Sequence, residues 1–299
     1  MNNIDFVIPV KNINIIIRCV IESLIKNYNP SKIYIITSKI NNFKLIERIK
    51  KWSFINTEIL IIEEEDYFMD KYGLSIDNIK KWYNKKDENS REFGWWYQQI
   101  LKLGAHYRIN DLSDPYMVWD SDLIVLNKWN IYPSKECNYY KFAILQETAK
   151  NEWNKKEYKD SIYDLIGLEG IDPIEGTFVP HHFIIYHDVV KNMINNIKNL
   201  EDKTWIERIM RLSEKYYRFS EYKCLATYMY HNNTVLLKYH KYEDYGKDGI
   251  RYRENREIID KIKKNCEFDE ELSYDQIINF VSKNYTNTVS YIQIEHVEE

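Results

Sequence analysis

Two carboxylates one residue apart, Asp120 and Asp122, interrupt an apolar run from Tyr116 to Leu126. Successive side chains of a strand point to opposite faces, so residues at i and i+2 share a face if the run stays extended. If the chain turns after Asp120, the pair sits instead at the carboxyl end of a strand, beside the next loop. Either way two anions crowd into apolar surroundings, where unpaired charge is costly and a divalent cation offsets it. The plainer alternative is a turn carrying two solvated aspartates. The apolar, β-prone flanks favour the cation.

The elements that must position this pair alternate along the chain. Residues 4–10 read as a buried first strand ending at Pro9-Val10, and a helical pattern runs from Asn12 to Lys26. A second strand spans Lys32 to Thr37, a helix runs from Phe43 to Trp52, and a third strand covers Glu58 to Ile62. Strand–helix alternation of this kind predicts an α/β fold with a mostly parallel sheet between helices. An acidic loop, Glu63 to Asp66, follows, and then an aromatic helix from Trp95 to Leu103 that leads into the Asp120–Asp122 segment. Further strands are expected at Phe142 to Leu145, Phe178 to Pro180, Phe183 to Tyr186 and Thr234 to Tyr239. Helices are expected at Lys150 to Leu165, Asp188 to Leu200, Thr204 to Lys215 and Tyr222 to Tyr230. One large domain over residues 1–253 is predicted, with residues 254–299 as a helical C-terminal extension packed on it; the tail after Glu254 reads as helices with a final strand or coil.

Composition removes several classes of function. The net charge of −4 leaves no electrostatic footprint for nucleic acid. Basic runs such as Lys80-Lys81 and Lys261 to Lys264 read as solvated helix faces. The four cysteines are scattered without a C-x-x-C spacing, which argues against a zinc site or a disulfide framework and fits a reducing compartment, the cytoplasm. No basic segment with an apolar h-region opens the chain, and no stretch reaches the roughly 20 apolar residues of a membrane span. Neither G-x-G-x-x-G nor G-x-x-x-x-G-K-[ST] occurs, so dinucleotide and P-loop sites are not supported.

In open α/β sheets ligands bind at the carboxyl ends of the parallel strands. Three features fall there: Pro9-Val10-Lys11, the Asp120-Ser121-Asp122 corner, and Gln146-Glu147-Thr148. A first strand ending in a turn, a sheet, and a D-x-D at a strand end resemble the GT-A fold of nucleotide-sugar-dependent glycosyltransferases. The resemblance implies that the D-x-D holds Mn²⁺ or Mg²⁺ against the donor diphosphate, with Asp122 a direct ligand and Asp120 near the ribose or the metal. Gly94-Trp95-Trp96-Tyr97-Gln98-Gln99-Ile100-Leu101-Lys102 is similar to glycogenin-like enzymes, which place a lysine on the helix before the D-x-D strand. That pattern, with Phe219-Ser220-Glu221-Tyr222, also resembles a group of glycosyltransferase-like proteins of bacteria and large viruses.

Residue by residue, the resemblance implies that Lys102 reaches the donor sugar or phosphate and that one of Gln98 and Gln99 faces the cleft. His240 would be the third metal ligand and Lys247 a phosphate contact, although the spacing from His240 through Gly246 to Lys247 departs from the family motif and its Pro-Trp is missing. His181 and His182 compete with His240; the related group has a histidine near there, assigned to the acceptor side. Glu221 is the candidate base or acceptor-orienting carboxylate, because an inverting transfer needs a group to take the hydroxyl proton. Ser220 also fits as a helix N-cap with Glu221 in the first turn. Pro9-Val10-Lys11 and the acidic loop would frame the nucleoside, and the segments 153–163 and 167–182 the acceptor.

The expectation is therefore a metal-dependent glycosyltransferase taking a UDP-sugar donor to a glycan or protein hydroxyl. A metal-dependent nucleotidyltransferase is the first alternative, disfavoured because it would want a third carboxylate and a basic groove. A non-catalytic nucleotide- or glycan-binding protein of the same fold is the second.

Overall fold

A computed structural model describes residues 4–52, 54, 56–129, 131, 142–143, 152–172, 177–201, 203–234, 237, 239–240, 249–252, 260, 262, 271–285 and 289–294. The chain opens with β1 (Phe6–Val10), buried along its whole length as a central strand must be. Helix α1 (Ile17–Tyr28) buries Ile17, Val20, Ile21 and Leu24, the 3–4 spacing of one helix face, and ends where Asn29 turns left-handed. Next come β2 (Lys32–Thr37), α2 (Lys39–Trp52), β3 (Glu58–Glu63), the short α3 (Met69–Tyr72) and α4 (Ile76–Lys80), and then the long α5 (Phe93–Arg108). After it come β4 (Tyr116–Trp119), β5 (Leu123–Val125), β6 (Phe142–Ala143), α6 (Glu152–Ile166), β7 (His182–Ile185) and α7 (His187–Asn195). The chain continues with α8 (Trp205–Arg211), α9 (Glu221–Asn232), β8 (Tyr239–His240), β9 (Gly249–Tyr252), α10 (Tyr274–Asn284) and β10 (Tyr291–Ile294).

The main sheet has the order β3-β2-β1-β4-β7. Its first four strands are parallel; β7 runs antiparallel to β4 with His182 opposite Trp119. Helices flank this mixed, mostly parallel sheet, as the alternation predicts; α5 packs against β1, α8 and α9. A second sheet has the order β5-β10-β9, and β6 pairs with β8 in a two-stranded ribbon.

Three features matter for the site. Of the two arrangements expected for the apolar run, the chain takes the turn: the run breaks between β4 and β5, and Asp120 and Asp122 lie at the carboxyl end of β4. The two halves of the run belong to different sheets, which is why it has to turn. Phe178 to Pro180 forms no strand; that edge begins at His182. In the stretch 254–299 a helix is followed by a final strand, and β10 lies between β5 and β9, antiparallel to the first and parallel to the second. A Tyr-Ile-Gln-Ile segment buried on all sides needs such a central slot.

Candidate metal centre

Local structure delivers three groups to the end of β4. The turn after Trp119 presents Asp120, whose amide donates to the His181 carbonyl at 2.8 Å. His181 has a left-handed backbone, φ 60°, uncommon outside glycine though histidine adopts it more readily than most. The bend sets its imidazole beside Asp120, with Nδ1 2.9 Å from Oδ2. Asp122 follows two residues on, and its carbonyl accepts from the Ile294 amide at 3.0 Å. Asp120, Asp122 and His181 bring one ligand atom each to within 4.8 Å of one another, the one such three-residue group among the described residues.

Behind Asp120 stands a buried charge network. Lys102, on α5 and 2% exposed, donates to Asp120 Oδ1 at 2.5 Å, to Glu221 Oε1 at 2.9 Å and to the Tyr222 hydroxyl at 2.9 Å. The Tyr222 hydroxyl donates in turn to Asp120 Oδ1 at 2.9 Å. Burial works against the Lys102 charge, but Asp120 and Glu221 outweigh it and raise the pKa above the ordinary lysine value. Burial likewise works against the Asp120 charge, and Lys102 with His181 overrides it, holding the carboxyl well below the usual range. Glu221 goes the other way: burial and the Asp120 charge raise it against the pull of Lys102. Asp120, at the shortest distance from Lys102, holds the firmer claim on its charge.

The residues fit a hard divalent cation. Two carboxylates and an imidazole are suitable donors for Mn²⁺ or Mg²⁺. The charges agree: Asp120, Asp122 and Glu221 outnumber Lys102 by two, a surplus that a divalent ion neutralises. Asp120 is tied through Oδ1 to Lys102 and Tyr222, which leaves Oδ2 on the side of His181 and Asp122.

The remaining sequence candidates are spread over several elements. Pro9 and Val10 are buried at the end of β1, with Lys11 exposed just beyond; Asn41 donates to the Lys11 carbonyl at 2.8 Å, and the Thr37 hydroxyl to the Val10 carbonyl at 2.7 Å. Ser121 stands in the turn between β4 and β5. Gln98 is half-buried on α5, whereas Gln99 is buried and accepts from the Glu221 amide at 3.0 Å, so it seats the start of α9. Glu221 is buried under Lys102 at the first turn of α9, where the Ser220 hydroxyl caps the helix by accepting from the Lys223 amide. The backbone of His240 lies in β8, opposite Ala143; its side chain, and Lys247 and Gln146-Glu147-Thr148 entirely, lie outside the described residues. His182 is a core residue, its Nδ1 2.8 Å from the Pro180 carbonyl and its ring against Trp119 and Trp129.

Of the groups at the centre, one was expected only as a rival and one was not foreseen. His181, which the sequence reading set against His240 for the metal and also linked to the acceptor side, meets the aspartates. The antiparallel register of β7 against β4 is the cause, and local pattern does not reveal it. Gln293, on β10, places Nε2 3.2 Å from Asp122 Oδ2 and 3.1 Å from His181 Nδ1. Its one local signal is a lone amide in an otherwise apolar strand.

No curated protein matches the chain in sequence. Among solved structures, the apo form of mouse xyloside xylosyltransferase 1 is similar at 9% identity, covering 97% of each chain with a TM-score of 0.50. An active-site mutant of LgtC is similar at 11% identity over 99% of this chain and 89% of its own, with a TM-score of 0.46. Core-mannan synthase A from Aspergillus fumigatus, in an Mn/GDP form, is similar at 10% identity over 82% and 73%, with a TM-score of 0.40. The first of these likenesses shows the fold alone, a GT-A-like mixed sheet flanked by helices. By sequence, residues 1–277 match the family described as "Family of unknown function (DUF6492)", and the chain belongs to that family.

Proposed function

We propose that this chain is a metal-dependent glycosyltransferase that moves a sugar from a nucleoside-diphosphate sugar, UDP-sugar foremost, to a hydroxyl of a glycan or protein. The observation that carries the reading is the meeting of Asp120, Asp122 and His181 at the carboxyl end of β4, beside β1. In an open α/β sheet that edge is where a ligand finds strand ends and loops without obstruction.

In the transfer, the bond from the anomeric carbon to the diphosphate oxygen breaks and a bond to the acceptor oxygen forms. Negative charge builds on the leaving diphosphate, and stabilising it is the main electrostatic demand. A divalent cation held by Asp120, Asp122 and His181 would supply that stabilisation as a Lewis acid. Lys102 serves from behind: with its ammonium spent on Asp120 and Glu221, it fixes the Asp120 carboxylate and offsets part of its charge. Glu221 and Tyr222 hold Lys102 and complete that support. Lys11 and the acidic edge of β3 flank the place where the nucleoside would lie.

Calorimetric titration of UDP with Mn²⁺ and with EDTA tests the reading. UDP binding is expected to require Mn²⁺ and to weaken at least about tenfold in Asp122→Ala. Equal UDP affinity in EDTA, or in Asp122→Ala, would sink the proposal. A hydrolysis screen across nucleotide-sugars then identifies the donor.

A further inference from the structure

Four polar atoms meet at the end of β4 in a spacing that hydrogen bonding alone does not reconcile. His181 Nδ1 lies 2.9 Å from Asp120 Oδ2 and 3.1 Å from Gln293 Nε2, which lies 3.2 Å from Asp122 Oδ2. If Nδ1 carries a proton, it donates to Asp120 and then faces the Gln293 amide N–H donor to donor. If Nδ1 is bare, it accepts from Gln293 and then faces the Asp120 carboxylate lone pair to lone pair. Turning the Gln293 amide over, an alternative that shape alone does not distinguish, relieves the first conflict but sets its oxygen against Asp122. Each assignment leaves two groups of like polarity about 3 Å apart.

A cation at the centre removes the conflict. Mg²⁺-type octahedral sites have metal–oxygen distances of about 2.0–2.1 Å, so neighbouring donors are spaced by about 3 Å. The three contacts around His181, Gln293 and the aspartates match the edges of such a coordination shell. We propose that Gln293 is the fourth protein donor of this cation site, through its side-chain amide oxygen turned toward the ion. The proposal rests on the reading of Asp120, Asp122 and His181 as a cation site and adds to it a donor from a distant part of the chain.

The way Gln293 is held supports this role. It is 1% exposed, the one polar residue of β10, and its strand is locked on both sides, opposite Leu123 of β5 and Arg251 of β9. A buried amide must find polar partners, and those of its nitrogen are two of the three candidate ligands. An amide oxygen is a hard, neutral donor that suits Mn²⁺, Mg²⁺ or Ca²⁺ and adds no charge to a site whose surplus of two is already matched. Gln293 lies beyond residues 1–277, the span matched by the family.

The test is Mn²⁺ affinity, read from the electron paramagnetic resonance of free Mn²⁺ in titrations of the full chain, with no nucleotide present. Wild type is compared with Gln293→Leu, Gln293→Glu and Asp122→Ala, each checked for native circular dichroism. Gln293→Leu is expected to weaken Mn²⁺ binding at least about tenfold. Gln293→Glu retains an oxygen at the same reach and is expected to bind as tightly as wild type or more so. Wild-type affinity in Gln293→Leu overturns the proposal, and so does a loss in Gln293→Glu equal to that in Gln293→Leu. If Gln293→Leu does not fold, the Glu variant decides alone, because a residue with only a packing role would not accept a buried carboxylate and keep the metal. Failure of wild type itself to bind Mn²⁺, with Asp122→Ala no different, instead overturns the cation site as a whole.

Discussion

Lys102 gives up contact with solvent to hold two carboxylates, and that choice sets what its loss would do. Removing one partner of a buried ion pair leaves charge without compensation and costs about 3–5 kcal/mol. Lys102→Met is therefore expected to lower unfolding stability by about that amount in EDTA, measured by urea denaturation. A loss below about 1 kcal/mol would place this lysine among surface pairs, which contribute little. Glu64, where β3 ends, offers a second residue-scale prediction. Burial, with the neighbouring Glu65, raises its pKa from 4.5 to about 7 against the opposing charge of Lys11. The folded state thus holds a proton that the unfolded chain has released, so stability falls as pH rises from about 4.5 through 7. Glu64→Gln is expected to be more stable than wild type at pH 8 and nearly equal to it at pH 5, by the same denaturation measurement. The reverse order would show that Glu64 is better solvated than its surroundings imply.

At the scale of elements, the first half of the main sheet was legible because each of its parts is local. Apolar runs of five or six residues, the first two each followed by a helical apolar period, specify β1, β2 and β3 without knowledge of their partners. The Asp120–Asp122 turn was legible as a site for the same reason: both residues and their apolar flanks lie within a dozen positions. Gln293 was not, and His181 was legible only as one of three competing histidines, since each reaches the site through a strand pairing set by tertiary structure. The β9–β10 pairing has its own requirement. Gly249 faces Tyr291, and a Cβ at Gly249 would run into the Tyr291 ring. Gly249→Ala is therefore expected to push β10 out of register and to weaken Mn²⁺ binding several-fold without touching a ligand. Unchanged Mn²⁺ affinity in that variant would show that β10 tolerates the shift.

For the whole molecule, the centre lies at the carboxyl end of β4, which is paired with β1 in the middle of the main sheet. No described helix is long and apolar enough to cross a membrane. The groups that meet there come from far apart: Asp120 and His181 are 61 residues apart, Lys102 and Glu221 are 119, and Asp122 and Gln293 are 171. Closing longer loops costs more chain entropy, and contacts of high sequence separation form late. The β5–β10 pairing is therefore expected to form after the main sheet. A chain that stopped at β1 to β4 would have its aspartates but lack the strand that completes their surroundings. On the proposed cation site, tight capture of the ion would mark the finished molecule, and in a refolding mixture Mn²⁺ is expected to stabilise completed chains over those that stop short.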